Sequence, residues 1–415
     1  MYRISTNMPN DNMQFFARNR EYELNQIQNK IASQSRIQNL RDDPVSAAHA
    51  TRHKSYLTRL ERYTENIEYA RTNYRVTEGY MREAVDVLQR IREIGVQGAN
   101  GTYTAEDRAY MANEVDQLLN ELAEVANARD AEGRTIFSGS ESRSLPFRVV
   151  RGNVEGVDGR RITNVQYTGN IGERNAEVMD GATVPLNVPG NQVFWAENQQ
   201  IYSSVNASAY QVPEDTSIFL DGVEVQLTGG DNINAVISKI NDSDAAVEAR
   251  LDPVRDSLVL QTTAPHQLWL SDGEDGRVLR DLGVLVDREG GPPDNIAPSA
   301  DAFGGSVFDM VIALRDNLYA DDTIDTGGSA LKGIDSALDN MLAKVGEIGA
   351  RDTRLGFTLR RTEREIPEVT DHLSQEVDID VTEALTELRM MEYTHQAAIG
   401  TAGRVLQTTL LNFLR

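Results

Sequence analysis

Leu60, Ile67, Tyr74, Met81 and Leu88 recur every seven residues, and Tyr63, Ala70, Thr77, Ala84 and Ile91 follow each of them by three. A three-four alternation held this long is the seam of a coiled coil, and it commits the segment to one long helix that needs a partner. The stretch "GVQGANG" stops that helix with glycine. "TAED" then offers Thr104 and Asp107 as a capping box, with Asp in place of the usual Glu. Met111, Val115, Leu118, Leu122 and Val125 return antiparallel.

A second stripe lies at the other end of the chain. Ile334, Leu338, Met341, Val345, Ile348, Leu355, Leu359, Ile366, Val369 and Leu373 keep the same spacing, with Asp352 and Thr362 in two polar slots. One helix over 331–373 would span roughly 60 Å. Pro367 should kink it or loosen a turn. Helices of that length cannot bury their stripes against a domain lying between them in sequence. Pairing the N- and C-terminal arms solves the problem, so the expected architecture is α+β: an elongated antiparallel helical bundle carrying a β-rich insert.

Proline marks the insert. Nine of the 12 prolines lie between Pro146 and Pro298, with both tryptophans, Trp195 and Trp269. Proline is excluded from helix interiors, so this middle is irregular and strand-rich. Within it, "SIFLDGVEVQLTGG" reads as a hairpin turning at Asp221-Gly222. "DNINAVISKIN" reads as a short helix capped by Asp231, with Ile233, Val236, Ile237 and Ile240 inward. "AAVEARL" and "LVLQTT" form another strand pair, followed by "QLWLSD". Together they predict a ββαββ module over about 213–286 that folds alone. "RRITNVQYTG" is strand-like in an otherwise weakly patterned stretch, and "GGPPDNIAPSAD" is a return linker.

The extremities are apolar. Met13, Phe16, Leu24, Ile27 and Ile31 share one helical face, and Asp43-Pro44 starts the next helix. A terminal helix from about Val381 carries Leu385, Leu388, Met391, Ile399, Ala402, Leu406, Leu410 and Phe413 on one side, and Leu414 follows at the tip. Such stripes must fold back, enter a membrane or be covered by another copy. The expected divisions are terminal helices over 1–42 and 376–415, a bundle over 43–142 and 300–375, and an insert over 143–299.

Chemistry is not written in any motif. His49 and His53 have the i, i+4 spacing of zinc ligands, but no HExxH or third ligand accompanies them, so a solvated face is the reading. His395 reads as a packed histidine. "SDGEDG" and "NDSD" lack the Glu that would complete a calcium loop and read as turns. "GGSALKG" has the wrong spacing for a phosphate loop, and no GxSxG is present. Neither enzyme, metal nor cofactor is expected. A net charge of −23 speaks against nucleic acid and anionic membranes. No run of eighteen apolar residues suggests membrane insertion. Cysteine is absent, which removes disulfides and thiolate sites. No Sec-type leader is visible in "MYRISTNMPNDNMQFFARNR", which by default points to the cytosol.

The opening "YRISTNM", "LNQIQNKIASQSRIQNLRDDPVSAA", the close "DIDVTEALTELRMMEYTHQAAIGTAGRVLQTTLLNFLR", and "IFLDGVEVQLTGGDNINAVISKIN" with "LVLQTT" and "LRDLGVL" resemble the flagellin superfamily. "TIFSGSESRSLPF" and "TTLLNFLR" are more similar to the subunits that join hook to filament than to filament flagellin. "SGS" departs there from the family's Gly-Gly run. The resemblance implies a structural flagellar subunit whose terminal helices order on assembly, with Met13, Phe16, Leu24, Ile27, Ile31, Leu388, Met391, Ile399, Leu406, Leu410, Phe413 and Leu414 at the interface. The partners it implies are copies of the same chain, a hook-side hook-associated protein, flagellin, and an export chaperone on the C-terminal helix. The location it implies is an external or periplasmic flagellum, reached without a cleaved signal. Filament flagellin is the near alternative. A stalked ligand-binding protein is the distant one, and it would need an aromatic groove around Trp195, Tyr202 or Trp269.

Overall fold

The computed structural model describes residues 8–413 apart from 40, 142, 155–156, 275 and 288–290, and of residues 8–10 and 402–413 the backbone alone. The chain divides into two compact units, residues 1–65 with 359–415 and residues 66–358. In order, helices α1 (Met8–Ser33), α2 (Pro44–Gly98) and α3 (Ala105–Ala126) come first. They are followed by strands β1 (Phe147–Asn153), β2 (Arg160–Tyr167), β3 (Asn175–Met179) and β4 (Ala182–Pro185). Next come α4 (Gly190–Val193), β5 (Gln200–Asn206), β6 (Thr216–Leu220), β7 (Val223–Leu227), α5 (Ile233–Asn241), β8 (Val247–Leu251) and β9 (Ser257–Thr262). β10 (Leu270–Asp272), α6 (Val278–Asp281), β11 (Asp301–Phe303), α7 (Val307–Tyr319) and α8 (Thr323–Asp325) complete the middle. A π-helical turn over Thr326–Ala330 leads into α9 (Leu331–Val377), and α10 (Val381–Phe413) ends the described chain.

In the unit of residues 66–358 the heptad positions of α2 go inward. Ile67, Tyr74, Met81 and Leu88 are 0–1% exposed, as are Ala70, Ala84 and Ile91, and Thr77 is 4% exposed. Ile334, Met341, Ile348 and Leu355 of α9 are buried with them. The first polar slot of the α9 stripe is answered across the seam: Asp352 accepts from Arg71 Nε at 2.8 Å and Nη2 at 3.3 Å. A charged pair in a largely apolar seam favours one register at some cost in stability. α2 and α3 form a hairpin closed by the predicted capping box, in which Thr104 and Asp107 cap each other's backbone N–H. α9 stays helical through Pro367.

α7, which the sequence reading did not separate, packs against α3 and against β2. The Phe308 ring on α7 sits 5.3 Å from Phe147 and 5.6 Å from Phe194, and Phe137 and Tyr167 join the cluster at 5.1 and 5.2 Å. These rings close the weakly patterned 143–206 stretch against the bundle. Beside them Gly139 has φ +73°, and a Cβ there would run into the Asn170 carbonyl. Gly139→Ala is therefore expected to cost about 2–3 kcal/mol. Gly133→Ala, also at positive φ (+77°) but facing open space, is expected to cost about 1 kcal/mol. Urea midpoints read by Trp195 and Trp269 fluorescence separate the two, and equal midpoints would remove the steric argument.

The ββαββ order is present, but its two hairpins enter different sheets. β6 and β7 join β10 in the order β10-β6-β7, while β8 and β9 join strands from outside 213–286 in the order β11-β5-β9-β8. The buried cluster includes Ile201, Ala207 and Val212 as well as Val236, Leu258 and Leu282. The packing unit is thus larger than 213–286, because the inner face of β9 needs β5 as its neighbour. The Asp221-Gly222 hairpin turns as expected, with φ +51° and +82°. The helix cap is corrected: Asn232, not Asp231, accepts from Ala235 N at 2.9 Å. Asp231 instead accepts from Thr228 N and from Lys239 Nζ, closing the loop ahead of α5.

Candidate assembly interface

The terminal unit is built from α1, the first turns of α2, the last turns of α9, and α10. Asp43 starts α2 by accepting from Val45 N and Ser46 N at 3.2 and 3.1 Å. The Ser46 backbone bond, with other hydrogen bonds, holds the Asp43 carboxyl below its ordinary pKa. Asp42 is lowered in the same way by the Asn39 and Gln38 amides. These are the hydrogen bonds that turn the chain between α1 and α2. Asp380 does the same work for α10, accepting from Thr382 N and Glu383 N at 2.8 and 3.1 Å.

The two connectors bond to one another. Arg36 N donates to Val377 O at 2.7 Å, Ile379 N to Gln34 O at 3.3 Å, and Ser35 and Asp378 form an antiparallel bridge. Arg36 Nη2 adds a bond to Glu376 O at 2.9 Å. This clasp places the end of α1 beside the start of α10, so the helices pair antiparallel. Behind it, Leu60, Tyr63 and Val369 form a small buried cluster with Tyr56, Leu57 and Ile366. Glu365 accepts from the Tyr56 hydroxyl and raises its pKa, chiefly through that hydrogen bond.

The α1–α10 pair covers one seam. On α1, Met13, Leu24 and Ile31 are half-buried and Ile27 is 7% exposed. On α10, Leu388 and Met391 are half-buried and Ala384 is 4% exposed. Within the single chain, then, each terminal helix partly shelters the other along its 3-4 positions. Phe16 and Ile399, which the sequence reading placed on the same stripe, are 64% and 53% exposed in the single chain. The side chains of Leu406, Leu410 and Phe413, and Leu414 altogether, lie outside the described residues.

Each helix of the pair also has an outer face turned away from the seam. Phe15 and Tyr22, seven residues apart and so on one face of α1, are 60% and 64% exposed. On α10, Leu385, Met390 and Tyr393 are 44%, 64% and 74% exposed. With Phe16, Ile399 and, at the start of α2, Val45, these residues carry much of the exposed apolar surface of the unit, and the sequence reading passed over Phe15, Tyr22, Met390 and Tyr393. The seven-residue spacing of Phe15 and Tyr22 was the available signal. His49 lies 3.4 Å from Glu376, and His53 stacks with His372 at 6.0 Å. No group of three potential ligands capable of holding a metal exists among the described residues. Nor is any helix among them long and apolar enough to cross a membrane.

The other unit holds an open cleft of about 630 Å³ lined by residues such as Glu173, Asn191, Asp221, His266 and Lys344. None of Trp195, Tyr202 and Trp269 lines it. Trp195 is 8% exposed and packed.

Residues 4–142 match the bacterial flagellin N-terminal helical region, and residues 212–264 match the flagellin hook IN motif. The chain thus carries two flagellin-type regions, one spanning α1 to α3 and one containing β6 to β9. It is 34% identical over 125 residues to flagellin FlaB1 of Treponema pallidum, covering 30% of this chain and 44% of that protein. It is 26% identical over 175 residues to flagellar hook-associated protein 3 of Salmonella typhimurium, covering 40% of this chain and 55% of that one. The chain spans about half the length of these curated relatives. A solved flagellar hook associated protein-3 from Legionella pneumophila aligns at 22% identity with a TM-score of 0.47, over 78% of this chain and 97% of that one.

Proposed function

We propose that this chain is a structural subunit of the bacterial flagellum that assembles through its terminal helices, and that it joins hook to filament. The observation that carries the reading is the exposed apolar side chains on the outer faces of α1 and α10, in a chain whose first 142 residues include a flagellin-type N-terminal region. Aromatic side chains left this exposed on paired helices mark a surface made to be covered. Copies of the chain cover it, with a hook-side hook-associated protein below and flagellin above. An export chaperone masks α10 beforehand, and the chain leaves the cell by the flagellar export route without a cleaved signal. No catalysis is needed for this role.

Filament flagellin is the second reading. It is favoured by the higher identity to flagellins, 34% against 26%. The hook-associated match runs over more of the chain, 40% against 30%. Adding the purified chain to isolated hook ends and imaging by electron microscopy separates the two. A junction subunit stops after a short collar and then supports flagellin growth. Continuous filaments of the chain alone would establish the second reading instead.

A further inference from the structure

The chain's negative charge is divided very unevenly between its two units. Residues 1–65 and 359–415 hold 16 Lys and Arg against 17 Asp and Glu, leaving for residues 66–358 25 of the chain's 41 basic and 47 of its 64 acidic groups. The net charges are −1 and −22. A unit that self-associates through apolar surface is thus nearly neutral, and it is covalently attached to one that repels its own kind.

We propose that the acidic unit sets an ionic-strength threshold for self-association: it keeps the apolar terminal helices from joining at low salt and permits joining once its charge is screened. The inference rests on the reading of the terminal helices as the associating surface. Copies that meet through the neutral unit bring their acidic units along, so each association step works against like-charge repulsion. The range of that repulsion is about 30 Å at 10 mM salt and about 8 Å at 0.15 M. Even if every basic group in the acidic unit paired with one carboxylate, 22 of its 47 carboxylates would remain uncompensated, as 47 against 25 requires. Glu83 and Asp86 on α2 and Glu121 and Glu124 on α3 are exposed examples. Dispersed like charge favours the separate, soluble state and opposes close association.

The test measures, for the full chain, the concentration at which light scattering shows half-association, from about 20 to about 300 mM NaCl. That concentration is expected to fall at least about tenfold as salt rises. Salt also strengthens apolar contacts, so a charge variant at fixed low salt decides the cause. Glu83→Gln, Asp86→Asn, Glu121→Gln and Glu124→Gln together should lower the half-association concentration at about 20 mM NaCl several-fold and flatten its salt dependence. A threshold that does not move with salt, or a quadruple variant that behaves as the parent, overturns the inference while leaving the associating surface in place. Failure of the parent chain to associate at any salt overturns the inference and the reading beneath it together.

Discussion

Phe15→Asp combined with Tyr22→Asp is expected to raise the concentration needed for self-association at least a hundredfold without unfolding the chain. Both rings are exposed in the single chain, at 60% and 64%, so the substitutions remove nothing from its core. Buried aromatic anchors at an interface typically contribute about 2 kcal/mol or more each. Two such losses, with a charge left to desolvate in each place, amount to about 3–4 kcal/mol or more and so to the expected factor. Sedimentation velocity over a concentration series reads the association, and thermal melting by circular dichroism reads the fold. The seam provides the contrast. Ile27→Asp puts a carboxylate at a position 7% exposed, where it should loosen the α1–α10 pair as well as weaken association. Association of the double variant at the parent's concentration would remove this outer face of α1 from the interface. A melting loss as large as that of Ile27→Asp would show that the rings stabilise the unit itself.

The long helices were legible because one spacing rule governs them over many turns. The ten heptad residues from Leu60 to Ile91 are all buried, and Asp352, a polar slot in the α9 pattern, meets Arg71. Capping was legible where the box was complete, at Thr104 and Asp107. At α5 two adjacent candidates, Asp231 and Asn232, could each cap, and only the loop geometry assigns Asp231 to Thr228 and Lys239. The aromatic cluster was not legible. Its members sit at 137, 147, 167, 194 and 308, and no period links residues that tertiary folding alone brings together. Sheet membership failed for a related reason: local pattern announces a hairpin, yet whether β9 takes β5 as its next neighbour depends on 50 residues of intervening chain. On the terminal helices the pattern put Phe16 and Ile399 on one stripe with Ile27 and Leu388, whereas the α1–α10 pair covers only the latter two. An apolar stripe wide enough for two contacts does not say which edge the chain keeps for itself.

Arg315→Met is expected to destabilise the larger unit by about 3–5 kcal/mol, as breaking a buried ion pair typically does. Arg315 is 0% exposed on α7 and reaches three elements. Its Nη1 donates to Asp116 Oδ1 on α3 at 2.9 Å and to the Ile162 carbonyl on β2 at 2.7 Å. Nε and Nη2 donate to Asp316 Oδ1 at 2.8 and 2.7 Å. Asp116 is itself 2% exposed, and its second oxygen accepts from Arg161 Nη1 at 3.0 Å. Removing the arginine leaves that carboxylate buried with one partner and the Ile162 carbonyl without this donor. Methionine fills much of the same volume, so the loss measures the polar pairing more than a cavity. Because both tryptophans lie in residues 66–358, the fluorescence midpoint in urea reports this unit rather than the terminal helices. A second variant separates pairing from packing. Adding Asp116→Leu to Arg315→Met removes the stranded charge, so the double variant should lose much less than the sum of the two single losses. Additive losses, or a single-variant loss under about 1 kcal/mol, would mean that solvent already reaches Arg315 and Asp116, and that α3, α7 and β2 are held by the aromatic cluster alone.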